Sequence, residues 1–424
     1  MKKNNGLVFW PTFLFPIIQM FVSNEVFWII GFICFCYIII IKCKLKFAVP
    51  FAEYKMLFVF FIWGAVIGLL HFLVNDIDLR DYVRDVFYYS TPIIYIFLGS
   101  WYAEEESDPS KIYNSFIASG AVVALISLYR MYVATGFFAV VSNVHEWRSS
   151  TSGGAIIIGV SLALAFSGII PKEKSLPNAL KIACVSVSSL FFLLSLSRTN
   201  LFIVAIMYLI LTLRKENAKK VLSRFVLFLA AVIGGLWLMT TIMPENLLKE
   251  YGQKILSSLT EISSNNSWTN AATVQDNWRG YENYCAVEQW KKTRLFTQVF
   301  GAGFGKRIYV GSYAYALLGQ LFSDGTPANA IAVLHNGYAT QLIKLGVLGV
   351  FLYVIFYLRL IQKGFVGCKS ADRQKADISR GLLAVSTCLL IQTLFLNGLF
   401  RDYCYYPLIT LVGYTAHGAI LSDN

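Results

Sequence analysis

Charged residues are scarce in this chain: Asp, Glu, Lys and Arg make up only 14% of its 424 residues, against 57% hydrophobic residues. A water-soluble globule needs more polar surface than this composition supplies. The composition therefore predicts an integral membrane protein. The formal net charge of +12 does not indicate nucleic acid, because the basic residues lie in short clusters between apolar runs.

Three further features are missing from the sequence. The eight cysteines show no C-x-x-C spacing, so they are interpreted as small buried hydrophobes rather than as metal ligands or a disulfide framework. The N-terminus lacks an A-x-A-like cleavage site and a second apolar run follows at once, which favours a first membrane helix over a removed signal peptide. No internal repeat of the kind found in transporters is visible.

Long apolar runs are present instead, and a run of about 20 residues is needed to cross a hydrocarbon core of ~30 Å. Two short neighbouring runs flank Arg198 and are predicted to form a tight hairpin, because one uninterrupted helix of their combined length would far exceed the bilayer. The sequence predicts an all-α integral membrane protein of about twelve transmembrane helices, near 7–23, 25–41, 56–74, 86–103, 113–135, 153–170, 181–197, 199–213, 224–243, 336–358, 380–399 and 405–421.

The basic residues predict the orientation of these helices. With both termini cytoplasmic, 21 of the 36 basic residues fall on the inside, as the positive-inside rule requires. This arrangement gives nine helices in residues 1–243, one large external loop in 244–334 and three helices in 335–424.

The external segment 244–334 is unusual in content as well as in length, and a connection this long is usually functional. It is rich in aromatic residues, and its eight basic residues are nearly balanced by seven acidic ones. Residues 274–299 are predicted to form a helix, capped by Asp276 or Asn277 and broken by the glycines of 301–305.

One histidine of only four in the chain, His335, lies at the start of the tenth predicted span. Arg148, Arg198 and Arg279 map to the same predicted side. An arginine at the edge of hydrocarbon anchors to lipid headgroups or faces an anion, and for any one of these arginines both interpretations stay open. A histidine at a helix start, with Asn336 as the cap, is the structural alternative for His335.

Three motifs together resemble the O-antigen polymerase and O-antigen ligase superfamily of bacterial inner-membrane glycosyltransferases. SLSRTNLFIVAIMYLIL is similar to the Ser-Arg-(Thr/Ser) hairpin of that family, NWRGYENYCAVEQWKKTRLFTQVFGAGFG to its external arginine segment, and LHNGYATQLIKLGVLGVFLY to its His-Asn signature. The resemblance covers roughly residues 190–360. It implies a GT-C-like fold, a glycan donor carried on undecaprenyl diphosphate, an active site at the periplasmic face, and a mechanism without a metal or other cofactor.

The resemblance also implies roles for individual residues. Arg198 and Arg279 would hold the diphosphate through bidentate contacts, and His335 would accept the proton of the attacking sugar hydroxyl. Aromatic side chains of the external segment would stack on sugar rings. The implied catalytic residues are His335, Arg279 and Arg198, and the implied substrate-binding residues are Arg148, Arg198, Arg279, Glu282, Asn336, Tyr338, Trp278 and Tyr281.

Polymerase and ligase share these motifs and differ in the acceptor. For the polymerase it is another lipid-linked repeat unit, with a chain-length co-polymerase as an implied partner, and for the ligase it is lipid A-core lipopolysaccharide. The sequences RGYE and HNGY within these motifs favour the polymerase. A polysaccharide transporter or flippase is the alternative of another class, disfavoured because no repeat is visible and the charges lie at one membrane face.

Two short motifs invite other interpretations that the sequence disfavours. Asp76-Ile77-Asp78 has the form of a metal-binding D-x-D, but the neighbouring Arg80 and Arg84 favour a helix start with salt bridges. The glycines of 301–305 follow no predicted strand and so do not indicate a nucleotide loop. In the tenth span, small residues are predicted to allow close helix packing; they are Gly337, Gly346 and Gly349.

Overall fold

The computed structural model describes residues 9–42, 51–74, 76–136, 147, 154–195, 197–212, 244–257, 277–313, 329–396, 398–400 and 406–421, with isolated positions between 223 and 274. Within these residues the chain forms fourteen α-helices and one small antiparallel sheet. The predicted all-α class is therefore confirmed for the described part of the chain.

The helices are numbered here in chain order, and short 3-10 turns lie at Lys172–Lys174 and Gly398–Phe400. The elements are α1 (Phe9–Ile18), α2 (Asn24–Tyr37), α3 (Phe51–Leu73), α4 (Leu79–Glu105), α5 (Pro109–Thr135), α6 (Ala155–Ser167), α7 (Asn178–Leu194), α8 (Arg198–Thr212), α9 (Glu245–Ser257), α10 (Trp278–Lys291), α11 (Leu295–Phe300), β1 (Ile308–Tyr309), β2 (Ala330–Ile331), α12 (Gly337–Gly367), α13 (Arg373–Gln392) and α14 (Tyr406–Leu421).

Helices α4 and α14 pack against each other through glycines. A Cβ atom on Gly99 would lie 2.1 Å from the carbonyl oxygen of Thr410, and one on Gly413 would lie 2.0 Å from that of Ile96. Neither position has room for a larger side chain, so the two backbones approach closely. This is the packing that small residues allow between apolar helices.

Three of the described helices are long and apolar enough to cross a membrane by length and composition: Tyr54–Leu73, Pro109–Thr135 and Gly337–Gly367. The helices found at five other predicted spans are apolar but shorter, namely α1, α2, α6, α7 and α8. The predicted span 224–243 lies mostly outside the described residues. The number of twelve spans therefore stays a prediction.

The helix boundaries differ from the predicted ones where capping side chains decide them. Helix α4 begins at Leu79 rather than near residue 86, because the carboxylate of Asp78 accepts a hydrogen bond from the backbone N–H of Arg80. The predicted break between residues 181–197 and 199–213 is confirmed as two helices, since α7 ends at Leu194 and α8 begins at Arg198. That these two helices form a transmembrane hairpin stays a prediction.

The glycine-rich loop after α11 inserts into a kink of α12. At Gly346 the backbone of α12 is not helical, with φ 67° and ψ −171°, a left-handed conformation that favours glycine. The interrupted helix leaves backbone acceptors for the loop: Ala302 donates its N–H to the carbonyl of Ile343 (3.1 Å), and Gly303 donates to that of Lys344 (2.7 Å). Phe304 also donates to the carbonyl of Gly64 on α3 (3.0 Å).

Two sequence interpretations are corrected by this loop. Gly346 is needed for the kink and for the approach of the loop backbone, since a Cβ there would lie 2.3 Å from the carbonyl oxygen of Val299; its role is not packing between straight helices. The predicted helix 274–299 is in fact two helices, because α10 ends at Lys291 and the glycines terminate α11 instead.

The segment before α12 is folded against it. Strand β1 pairs with β2, and Ile308 lies opposite Ile331. These strands and one face of α10 pack on the first turns of α12 in a small apolar cluster that includes Tyr281, Leu334 and Ile343. Residues 277–313 and 329–334 of the predicted external loop are therefore attached to the beginning of α12, whereas α9 packs in another apolar cluster with Met131 and Leu194.

Candidate functional site

The first turn of α12 is held by its own cap and by α13. The side chain of Asn336 accepts hydrogen bonds from the backbone N–H groups of Tyr338 (3.0 Å) and Ala339 (3.2 Å), so the predicted cap is confirmed. The N–H of Gly337 donates to the carbonyl of Thr393 (2.7 Å), and the Tyr338 hydroxyl donates to that of Leu390 (2.8 Å). Asn336 and Tyr338 thus anchor the residue that precedes them, His335.

His335 is paired with a buried carboxylate. One oxygen of Glu282, Oε2, accepts the backbone N–H of His335 (3.0 Å) and lies 2.9 Å from Nδ1 of its imidazole ring. Glu282 is only 1% exposed, whereas 29% of the His335 side chain is accessible. A carboxylate at Nδ1 favours the tautomer with the proton on that atom. The other ring nitrogen, Nε2, is then a proton acceptor.

Helix α10 holds Glu282 in a fixed position. Its N-terminal cap is Asn277, one of the two predicted caps. The side chain of Asn277 accepts a hydrogen bond from the N–H of Gly280 (3.2 Å). The hydroxyl of Tyr281 donates to the carbonyl of Val310 (3.1 Å), and its ring lies edge-on to Trp268 with the centroids 5.3 Å apart. The carboxylate at Glu282 is therefore carried by a helix that is packed on one side and capped at its start.

This packing gives Tyr281 and Trp278 a clear structural role. Tyr281 is only 8% exposed, and burial raises the pKa of its phenol. Trp278 is half-buried against the same cluster, and its indole N–H has no hydrogen-bond partner among the described residues. Their stacking on sugar rings stays a prediction. For Tyr281 it requires a sugar to reach a ring that is packed in the apolar cluster.

The structure places the three candidate arginines differently. Arg279 is half-buried on α10, one helical turn before Glu282, and residues three apart lie on the same face of a helix. Arg198 is the first residue of α8, but its side chain lies outside the described part of the chain. Arg148 lies outside the described residues altogether. Its neighbour Trp147 is buried and donates its indole N–H to the carbonyl of Leu194 (2.7 Å).

Helix α13 relates the start of α8 to the start of α12. The thiol of Cys388 contacts the carbonyl of Ile203 on α8 (3.6 Å), and five residues later Thr393 accepts the hydrogen bond from Gly337. The C-terminal half of α13 is thus beside the start of α12 and beside the first half of α8. That Arg198 and His335 lie on the same side of the membrane stays a prediction.

A second group of charges, not predicted from the sequence, supports the glycine-rich loop. Asp85 on α4 is fully buried, forms an ion pair with the buried Lys344 of α12, and accepts the N–H of Gly305 (2.6 Å). Its neighbour Asp81 binds Arg307 through two hydrogen bonds, of 2.6 and 3.0 Å. The available signal was Lys344 itself, a charged residue inside a predicted membrane span.

The ionisation of Asp81 follows from these contacts. Burial opposes the charged form, but the hydrogen bond from Arg307 and the charges of Arg84 and Arg307 together lower the pKa of Asp81. A carboxyl group whose pKa falls on folding stabilises the fold above its unfolded pKa, and this contribution is lost as the pH falls through the folded pKa. The loop is therefore held by an ionised Asp81 at neutral pH.

The D-x-D motif takes part in helix capping and ion pairing. The predicted helix start is confirmed, since Asp78 caps α4. Asp76 also forms ion pairs, as predicted for this segment, and its partners are Lys306 (3.2 Å) and His71 (2.9 Å). Within the described residues no group of three His, Cys, Asp or Glu side chains is arranged to hold a metal ion, and the six described cysteines are free thiols.

A basic cleft of about 270 Å³ opens beside the far end of α10. Its lining includes Trp290 of α10, the helix that carries Glu282, and Ile343 of α12, the helix that follows His335. Its basic and acidic lining residues among those described are Lys292, Arg294, Lys306, His71 and Asp76. Searches of this chain against protein-family models and against curated proteins return no match.

Proposed function

We propose that this protein is an O-antigen polymerase of the bacterial inner membrane, which transfers a glycan from undecaprenyl diphosphate to a sugar hydroxyl of another lipid-linked repeat unit. The observation that carries the proposal is the contact between buried Glu282 and Nδ1 of His335 at the mouth of α12. In this proposal Nε2 of His335 is the base, and Arg198 lies at the same end of the bundle.

The proposed reaction balances with these groups alone. The bond between the anomeric carbon and the diphosphate oxygen breaks, and its electron pair passes to the diphosphate. The acceptor hydroxyl oxygen bonds to the anomeric carbon, and its proton passes to Nε2 of His335. The leaving diphosphate is already a stable anion, so it needs cations rather than a proton donor. Arg279 and Arg198 are assigned to it, and the basic cleft at Lys306 suits an anionic substrate.

The placement in a membrane is part of the proposal. Helix α3 exposes large apolar side chains along its length, which a soluble monomer rarely does on this scale; they include Ile62 (56%), Val66 (50%), Leu70 (57%) and Leu73 (66%). The distribution of basic residues supports cytoplasmic termini and a site at the periplasmic face.

Transfer by the purified protein tests the function and its closest alternative. The protein is supplied with a lipid-linked repeat unit alone, then with lipid A-core lipopolysaccharide added, and products are separated on a gel. We expect a ladder of polymer without the core acceptor. Product that forms only with the core acceptor assigns the ligase reaction instead. Movement of the lipid-linked unit across vesicles, with no transfer in either reaction, would assign a flippase.

Reporter fusions test the orientation. A topology reporter fused after Ser264 is expected to give the external signal, and one fused after Lys369 the cytoplasmic signal, because basic residues concentrate on the predicted inner side. Alkaline phosphatase and green fluorescent protein activities measure the two sides. The reverse result overturns the periplasmic assignment of His335.

Chelation tests the proposed metal independence. We expect the rate of transfer to be unchanged by an excess of EDTA, because Asp76 is engaged with Lys306 and His71 and the proposed cations are arginines. The rate is measured before and after chelation. Loss of activity that magnesium or manganese restores would contradict the proposed mechanism.

Substitution of the arginines by lysine tests the diphosphate contacts. Arg279→Lys and Arg198→Lys keep the charge but lose the planar fork that binds two oxygens at once. We expect kcat/KM to fall by about 10- to 100-fold, the range for a lost hydrogen bond to a charged group, with weaker donor binding. Arg373→Lys, at an exposed arginine that lies 3.8 Å from Asp377, is the control. Equal activity of all three variants would remove the arginines from the site.

A further inference from the structure

A second cleft lies at the end of α12 opposite His335. It has a volume of about 710 Å³ and is enclosed by the last turns of α12, the first turns of α13 and Ala419 of α14. Among the described residues that line it, four are basic and none is acidic: Arg359, Lys363, Lys369 and Lys375. A concave surface with this charge attracts an anion.

An unsatisfied hydroxyl group also lines this cleft. The side chain of Ser379 is completely buried, and its Oγ has no hydrogen-bond partner among the described residues. It faces Gly367, where an added Cβ would lie 2.1 Å from that Oγ, so the helix end at Gly367 leaves room for the hydroxyl. A buried hydroxyl without a partner is unfavourable, and a ligand oxygen in the cleft would supply one.

An exposed apolar face of α12 runs from the cleft toward the middle of the helix. Leu358, Phe365 and Val366 are 50%, 54% and 64% exposed. Leu358 precedes Gln362 by four residues, and Phe365 and Val366 follow it by three and four, so all four lie on one side of the helix. Gln362 and Val366 also line the cleft. The ammonium of Lys369 lies 4.6 Å from the ring centre of Phe365, so charge and apolar surface meet at this point.

We propose that this cleft binds the headgroup phosphate of an anionic glycerophospholipid, with its acyl chains along the exposed face of α12. The phosphate accepts hydrogen bonds from the basic side chains and from Ser379. Basic clefts between helices at the cytoplasmic side of a membrane suit such headgroups, and the adjoining apolar face suits a lipid better than a free anion. The inference rests on the proposed membrane placement, but it does not depend on the transfer reaction.

Thermal unfolding of the purified full-length chain in detergent tests this site, because a ligand that binds the folded state raises Tm. The probes are dioctanoyl phosphatidylglycerol, dioctanoyl phosphatidylcholine and inorganic phosphate at equal concentration. We expect phosphatidylglycerol alone to raise Tm, by about 3–6 °C at saturation. The rise should be lost in Arg359→Gln/Lys369→Gln and retained in the control Lys172→Gln/Lys181→Gln, which removes two charges outside the cleft.

A third variant separates binding from folding. Ser379→Ala removes no hydrogen bond to the described part of the chain, so Tm without lipid should not fall, while the concentration of phosphatidylglycerol that gives half the shift should rise several-fold. Three results overturn the proposal: an equal shift with inorganic phosphate, an equal shift with phosphatidylcholine, or an unchanged response in the cleft variant. None of these depends on glycan transfer, which is measured separately.

Discussion

His335→Ala is expected to reduce turnover per folded molecule by about 10²–10⁴-fold, the usual contribution of a general base. Donor binding should change little, because removal of the proton belongs to the transition state and not to the bound ground state. Specific activity is measured against the amount of folded protein, and donor affinity is measured in parallel. The expected signature is therefore a lower kcat with a nearly unchanged donor affinity.

A matched histidine elsewhere in the fold provides the control for this experiment. His417 on α14 lies 3.2 Å from the carboxylate of Glu104, in a pair that has no proposed role in transfer. His417→Gln should lower stability at most and leave turnover per folded molecule unchanged. If His335→Ala behaves in the same way, with normal activity in the surviving folded fraction, then His335 is a structural residue of the helix start.

The partner of His335 is tested by Glu282→Gln. The amide keeps the size of the side chain but removes the charge that favours a proton on Nδ1 and stabilises the imidazolium that forms during transfer. We expect a loss of kcat in the same direction as for His335→Ala but smaller, and no further loss when both substitutions are combined. Independent, multiplying losses in the double variant would show that Glu282 acts separately, for example through the substrate contact that the sequence suggested.

Lys344→Met is expected to destabilise the protein by about 3–5 kcal/mol, the cost of removing one member of a buried ion pair; Asp85 then keeps the longer contact with Arg84 (3.4 Å). Both Lys344 and Asp85 are fully buried, so water cannot replace the lost ammonium. The free energy of unfolding is measured in mixed micelles. Because Asp85 also accepts the N–H of Gly305, the glycine-rich loop should become more accessible to protease in the same variant.

Two further variants make this prediction specific. Lys344→Met/Asp85→Asn removes both charges and should recover most of the lost stability, since replacing a whole buried pair costs far less than breaking it. Lys291→Met breaks the exposed pair with Glu288 and should cost less than about 1 kcal/mol. Equal effects of Lys344→Met and Lys291→Met would contradict the structural role assigned to the buried pair.

Local features of this fold could be predicted from the sequence because neighbours along the chain determine them. The scarcity of charge and the long apolar runs predict helices, and the side chains of Asn277, Asn336 and Asp78 cap three of them. Each cap needs only an oxygen within three residues of a free N–H. The break between α7 and α8 and the location of His335 before an apolar helix follow from the same short-range pattern.

Only the tertiary structure decided which distant side chains meet. Glu282 and His335 are 53 positions apart, and Asp85 and Lys344 are 259 apart. Hydrophobic periodicity indicates which face of a helix is buried, but it does not indicate which helix packs against that face. The kink at Gly346 also depends on tertiary packing, because the carbonyl groups that it frees receive hydrogen bonds only once the N–H groups of Ala302 and Gly303 lie beside them. The sequence by itself determined a helical, apolar chain with His335 at a helix start, and the packing of α10 on α12 supplied the carboxylate that orients its imidazole ring.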